Sequence, residues 1–304
     1  MFLITGSAGF IGFHLAKKLL LEKKKVIGID NLNNYYDTKL KKDRLNILKK
    51  FKNFKFYKHD LTNEDSIKLI FKKNKIDYVI HLAAQAGVRY SVINPHAYIS
   101  SNISGYFNIL NLSRKFRVKH FIYASSSSVY GALNKFPFKE KYNVSHPTQL
   151  YAATKVSNEL MAHAFSSLYN LPTTGLRFFT VYGPYGRPDM ALFLFTNAII
   201  NNKPIKIFNY GKMQRDFTYI DDIVYGIISS LKHSYSYEIF NLGNNNPIKL
   251  NYFIKIIEKE LKIKSQKKLL PIQPGDVEKT YANINYSQKK LNYKPKTSIE
   301  KGIK

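Results

Sequence analysis

The sequence predicts an α/β fold in which a doubly wound parallel sheet is followed by a smaller C-terminal α/β lobe. Three observations predict it. Short β-branched or apolar runs alternate with helical segments through residues 1–178. A glycine triplet, Gly6, Gly9 and Gly12, separates the first strand from the first helix. After Phe179 the alternation gives way to Pro- and Gly-punctuated loops, "VYGPYGRPD", "NYGKMQRD" and "PIQPGD", with short strands and helices between them.

In order, "FLIT" reads as a strand, and Ile11, Leu15 and Leu19 share one face of the helix behind it. "KVIGID" is the next strand. Then come "FKFYKHD", a helix after Thr62, "YVIHLAA", a helix after Pro95, "HFIYASSS", a helix carrying Tyr151, and "TTGLRFF". Strands separated by crossover helices make a parallel sheet. The expected division is 1–178 and 179–304, with a segment near 216–243 returning to the first part. No repeat or low-complexity linker intervenes, so the two parts should pack around a cleft.

With 304 residues, 44% of them hydrophobic and 14% aromatic, the chain can bury a large core despite a net charge of +28. That charge invites a nucleic-acid reading. The lysines, however, are scattered ("LLLEKKKVIG", "KLKKDRLNILKKFKNFK", "KSQKKLL") and form no periodic stripe. We therefore expect solvated surface charge and no nucleic-acid partner. No apolar run is long enough to span a bilayer, and "MFLITGSAGF" lacks a secretory signal, so no membrane partner and a cytoplasmic location are expected. The absence of cysteine excludes disulfides and thiolate catalysis. No metal is expected.

Gly6, Gly9 and Gly12 in "TGSAGFIG" permit a tight turn and close approach of a pyrophosphate to free helix N–H groups. Asp30 ends the second strand, where a carboxylate can accept from both ribose hydroxyls and repel a 2′-phosphate. NAD is therefore expected over NADP, although Lys39, Lys41 and Lys42 nearby work against that preference. Asp60, closing the third strand, is placed to reach the adenine or to serve the N-cap region of the following helix.

In "QLYAATKVSNEL" Tyr151 and Lys155 stand four apart and so share a helix face. A phenol with a pKa of about 10 is a poor base at neutral pH, and a neighbouring cation lowers that value. With 23 Tyr and 48 Lys+Arg in the chain the pair alone means little. Ser126, in "YASSSSVYG" one helix upstream, could supply a hydroxyl to the same substrate oxygen.

These motifs, with "HLAAQAGV", "YAATK", "RFFTVYGP" and "RDFTYIDD", make the chain resemble the extended short-chain dehydrogenase/reductases, and among them the NAD-dependent nucleotide-sugar epimerases. The resemblance runs from Met1 to Lys304. It implies a Rossmann domain with a C-terminal substrate lobe, a homodimer, and a UDP-sugar substrate. It makes Tyr151 the catalytic base, Lys155 the residue that holds the nicotinamide ribose and tunes Tyr151, and Ser126 a helper. It implies cofactor contacts from Phe10, Ile11, Asn31, Asp60, Leu61, Leu82, Ala83, Ala84, Asn102 and Phe179 beside the glycines and Asp30. Arg215 matches the arginine that grips the diphosphate, and Asp276 joins it on the substrate side.

Departures narrow the group. Sugar 4,6-dehydratases and uronic-acid decarboxylases carry acidic residues before "VYG", where this chain has Ser127 and Ser128. UDP-glucose 4-epimerases usually have Asn where this chain has Thr180. "RFFTVYGPYGRPDMALF" and "HPTQLYAATK" look most like UDP-glucuronate 4-epimerases, and Arg89 and Arg187 fit an anionic substrate. Either arginine has a second reading as a salt-bridge partner or phosphate ligand. The implied reaction inverts C4 of a UDP-hexuronic acid through a 4-ketone. The rivals are a neutral UDP-hexose 4-epimerase and a non-catalytic NAD-binding protein. "TSIEKGIK" reads as the opening of a terminal helix that relatives usually continue.

Overall fold

In the computed structural model, which describes residues 1–273 and 276–304, each nucleotide-half strand feeds a helix. The series runs β1 (Phe2–Thr5), α1 (Phe10–Leu21), β2 (Val26–Asp30), α2 (Thr38–Lys49), β3 (Phe54–Lys58), α3 (Glu64–Lys73) and β4 (Tyr78–His81). Two short helices, α4 (Tyr90–Ile93) and α5 (Pro95–Tyr98), and a π turn at Ile99–Ser104 lead into α6 (Gly105–Lys115). β5 (His120–Ser126), a 3₁₀ turn at Ser127–Tyr130, α7 (Leu150–Tyr169) and β6 (Thr173–Phe178) follow.

The remaining elements are β7 (Thr180–Tyr182), α8 (Ala191–Ile200), β8 (Ile205–Ile207), β9 (Gln214–Tyr219), α9 (Ile220–Leu231) and β10 (Tyr237–Leu242). After them come β11 (Pro247–Lys249), α10 (Leu250–Leu261), β12 (Lys267–Leu269), α11 (Asn285–Leu291) and α12 (Ile299–Ile303).

Seven parallel strands form the main sheet in the order β10-β6-β5-β4-β1-β2-β3. The order reverses at β1, which leaves a crevice above its C-terminal end, where α/β sheets bind ligands. Successive strand residues point to opposite faces, so Leu3 and Val79 enter one core while Ile4 and Ile80 enter the other. Of the expected return segment, α9 and β10 do come back: β10 pairs with β6 from Tyr237↔Thr173 to Leu242↔Phe178. β9 instead joins a second sheet of order β11-β9-β7. That sheet and the β12-β8 pair carry the smaller core, where Phe217 and Phe253 stack at 4.2 Å. Ile299 of α12 is buried in the same core, and the Ser298 hydroxyl accepts from the Lys301 N–H to cap that helix.

What fixes α7 on the sheet is a buried ion pair. Arg177 of β6 donates twice to Glu159 of α7, at 2.9 and 2.8 Å, with side chains only 3% and 4% exposed. Ser125 of β5 donates to the same carboxylate at 2.6 Å. Glu159→Gln leaves the Arg177 charge buried and uncompensated, so a urea melt should show a loss of about 3–5 kcal/mol. Adding Arg177→Met should recover part of that loss, because the stranded charge is then gone.

Candidate active site

The crevice above β1 opens into a single cleft of ≈ 1150 Å³ that runs from the glycine turn to the smaller lobe. Its floor begins where β1 turns sharply into α1. Gly6 sits at φ +71, its N–H donating to Ile29 O at 2.7 Å, and a Cβ at Gly12 would overlap the Gly6 carbonyl oxygen. No side chain caps α1 at Gly9, so its first N–H groups are free for an anion. Gly9, Phe10, Ile11, Leu61, Leu82, Ala83, Ala84 and Phe179 line the same cleft.

Asp30 stands at the end of β2 and accepts from the N–H groups of Ala8 (3.1 Å) and Leu32 (2.9 Å). Burial pushes its pKa up, against these bonds and the nearby Lys41 and Arg44 cations. Each oxygen keeps a second lone pair for a hydroxyl donor. Lys39 and Lys42 are exposed on α2, whereas Lys41 turns inward and gives its ammonium to Asn33 at 2.7 Å. Asp60 lines the cleft and accepts from Asn31 Nδ2 at 2.7 Å and from Thr62. The cap of α3 is Asn63, so Asp60 braces the loop beside the cap.

Asn102 departs from its expected cofactor contact. Its amide is buried behind the wall, bonded to the N–H and carbonyl of Gln85 and to Thr154. With its polar groups spent there, it supports the Gln85 segment and does not line the cleft.

At the chemical end Tyr151 opens α7 and faces the cleft with Ser126 beside it. Burial pushes the phenol above its ordinary value of 10.0, while the Ser126 hydroxyl and the Arg187 cation pull the other way. Lys155 lines the same cleft, and its buried ammonium donates to Ala124 O at 2.8 Å. In this state the cation acting on Tyr151 is Arg187. Burial also brings Lys155 itself down to about 8 from 10.5, with Glu159 opposing, and His81 behind it is brought to about 3.

Ser126 accepts from the N–H of Ser128 at 3.1 Å and its hydroxyl meets that of Ser128 at 3.2 Å. Ser127, Ser128 and Thr180 line the same cleft as Tyr151. Farther along, Arg89 and Asp276 pair with each other at 2.8 Å, Arg89 lying 4.6 Å over the Phe208 ring. Arg215 donates to the carbonyls of Gln214 and Glu278, and burial lowers its pKa, with Asp276 raising it and Arg89 lowering it. Two cations against one carboxylate make this end of the cleft attractive to an anion. Among the described residues no group of three His, Asp or Glu could hold a metal ion, and no helix is long and apolar enough to cross a membrane.

Sequence reading missed Tyr35 and Asp189, which meet Arg187 in the cleft, and Arg44 beneath them. The tyrosine pair in "NNYYD" and the Asp two residues past Arg187 were the available signals.

A glycine turn and a buried Tyr/Lys helix over one switch-point cleft define a dinucleotide-dependent enzyme acting on an anionic substrate. The chain belongs to the NAD dependent epimerase/dehydratase family, whose model matches residues 2–243. It is 49% identical over 304 residues to a UDP-glucuronate 4-epimerase of Thermodesulfobacterium geofontis, covering 100% of this chain and 94% of the relative. It is similar to the crystal structure of UDP-glucuronic acid 4-epimerase from Bacillus cereus with UDP-glucuronic acid and NAD. There the TM-score is 0.94 and the identity 33%, over 99% of this chain and 96% of the other. A UDP-glucose 4-epimerase structure from Thermotoga maritima matches at TM-score 0.91 and 32% identity, over 99% and 96%.

Lys155 carries a stability consequence. The folded chain releases this proton as pH rises through about 8, and the unfolded chain only near 10.5. Between those values the unfolded state holds more protons, so the folded state gains stability as pH rises. Lys155→Met, which removes the buried cation, should make the ligand-free protein more stable by about 1–3 kcal/mol at pH 7. The advantage should shrink from pH 8 to pH 10 in paired denaturation curves.

Proposed function

We propose that this protein is an NAD-dependent epimerase that inverts C4 of a UDP-hexuronic acid, interconverting UDP-glucuronate and UDP-galacturonate. The observation that carries this reading is Arg187. It brings a guanidinium into the cleft within electrostatic reach of the Tyr151 phenol, in the same cleft that Ser127, Ser128 and Thr180 line.

The glycine turn, Asp30 and the wall of Leu82 and Ala83 are suited to a dinucleotide, since the close backbone approach and free helix N–H groups match a pyrophosphate. Held by the glycine turn, Asp30 and the Leu82–Ala83 wall, NAD would supply reversible hydride transfer at C4. The chain does the rest. Tyr151 takes the 4-hydroxyl proton, Ser126 hydrogen-bonds the same oxygen, and Arg187 favours the ionised phenol. Arg89 and Arg215 hold the diphosphate while the sugar turns over.

Oxidation at C4 makes the uronate a β-keto acid, prone to lose CO₂. Hydroxyl donors and Arg187 that fix the carboxylate keep its breaking bond out of line with the ketone. A neutral UDP-hexose is the second reading, favoured by one observation: Asp189 already neutralises Arg187.

We also propose a homodimer in the cytoplasm. Phe107 on α6 and Leu160, Leu168 and Tyr169 on α7 are exposed apolar side chains that a second copy would cover. Sedimentation should give twice the chain mass, and a monomer would remove this part.

Incubation with a UDP-sugar panel, with products resolved by chromatography, tests the main reading. UDP-glucuronate and UDP-galacturonate should interconvert, and kcat/KM for UDP-glucose should be lower by about a hundredfold, the cost of stranding two donors that the bound sugar covers. Comparable values favour the neutral hexose. Tyr151→Phe should keep the fold and bound dinucleotide and lose about two to four powers of ten in kcat. Near-normal turnover by that variant would remove Tyr151 as the base.

A further inference from the structure

Two arginine–carboxylate pairs bear on α7 and the cleft, and they differ in kind. Arg177–Glu159 is sealed inside the fold. Arg187–Asp189 lines the cleft, with side chains 21% and 32% exposed, so it faces whatever enters. Arg187 presents its guanidinium edge to the carboxylate, Nε to Oδ1 at 3.0 Å and Nη2 to Oδ2, the two-point geometry that any carboxylate would offer.

Asp189 is set up to remain charged. Burial works against its ionisation, but the Arg187 guanidinium and the Tyr35 phenol hold its carboxyl below the usual value. Tyr35 Oη donates to Asp189 Oδ2 at 3.0 Å. Gly87, at φ +103, leaves room for that arrangement: a Cβ there would stand 2.6 Å from Tyr35 Oη and 3.7 Å from Arg187 Nη2. The loop itself is anchored independently, because Arg44 donates to the carbonyls of Tyr185 and Gly186 at 2.6 and 3.2 Å. Asp189 is therefore not what holds the loop in place.

We propose that Asp189 is an internal stand-in for a substrate carboxylate. It holds Arg187 in place at the cleft wall and competes with the incoming anion, which sets the margin by which a uronate is preferred to a neutral sugar. This rests on the uronate reading above. A neutral hexose leaves the Arg187–Asp189 pair intact and gains nothing from it. A uronate must win Arg187 from Asp189, so its affinity is the difference between two similar pairings.

The test is Asp189→Asn, which keeps the shape and one acceptor but removes the competing charge. Both chains carry Tyr151→Phe so that no turnover disturbs binding, and titration calorimetry reads Kd for UDP-glucuronate, UDP-glucose and UDP. The expected result is about three- to tenfold tighter UDP-glucuronate, the scale of one partly exposed ion pair, with UDP-glucose and UDP within about twofold. Asp189→Glu, which keeps the charge, should not tighten the uronate.

Unchanged or weaker uronate binding by Asp189→Asn overturns the inference, as does equal tightening of both sugars, which a merely structural loop would give. Turnover of UDP-glucuronate by the wild type in the same study separates the two claims. A wild type that converts the uronate, with an Asp189→Asn that binds it no tighter, sinks the inference alone. A wild type that neither binds nor converts it sinks both.

Discussion

The site depends first on the Arg177–Glu159 pair. Glu159 lies one helical turn beyond Lys155 on α7, and Arg177 lies in β6 beside Ser125 of β5, so one carboxylate joins the helix to two strands. The same guanidinium donates to the Tyr130 hydroxyl at 3.0 Å, and Tyr130 donates to Asn241 of β10 at 2.7 Å. Desolvating two charges costs about what their attraction returns, so such a pair adds little net stability; what it can supply is register. A slip of α7 by one residue would turn Tyr151 about 100° away from the cleft and leave Arg177 without a partner. The network therefore penalises every placement of Tyr151 but one.

The strongest sequence signals were local ones. The glycine turn, the strand–helix alternation and the Tyr151–Lys155 spacing are set within a few residues, and the structure brings all three to one crevice. What could not be read was decided by residues far apart in the chain. Asn102 lies 17 residues from Gln85 and 52 from Thr154, and its three bonds to them hold the amide away from the cleft. Lys155 could be placed on the face of Tyr151 by period alone, but its ammonium direction follows from the Ala124 carbonyl, 31 residues back. Tyr35 and Asp189 are 154 residues apart, and no spacing rule connects them. The β9 strand, expected to begin the return to the main sheet, pairs with β7 and β11 because its register is set by those neighbours.

Charge follows a similar division. Most of the +28 belongs to lysines outside the core, which screen readily and favour anions in general. The cations that matter chemically are few and held by specific partners. Lys41 is committed to Asn33, Arg89 to Asp276, and Lys155 to Ala124. Arg187 is held by Asp189, and like Arg89 and Asp276 both of these residues line the cleft.

Arg44 shows how the two halves of the cleft keep one geometry. It is fully buried, and among the described residues it has no carboxylate partner and no acceptor for its Nε. Its charge is met instead by carbonyl dipoles, at Ala8 of the glycine turn and at Tyr185 and Gly186 of the loop that carries Arg187, and by the Tyr36 hydroxyl. A guanidinium suits this role because its planar donors reach several acceptors at fixed angles, whereas an ammonium is a point charge on a flexible stem. The consequence is that the glycine turn and the loop that carries Arg187 are referenced to the same buried group. A shift in either one breaks hydrogen bonds to a desolvated cation, so cofactor half and sugar half move together or not at all.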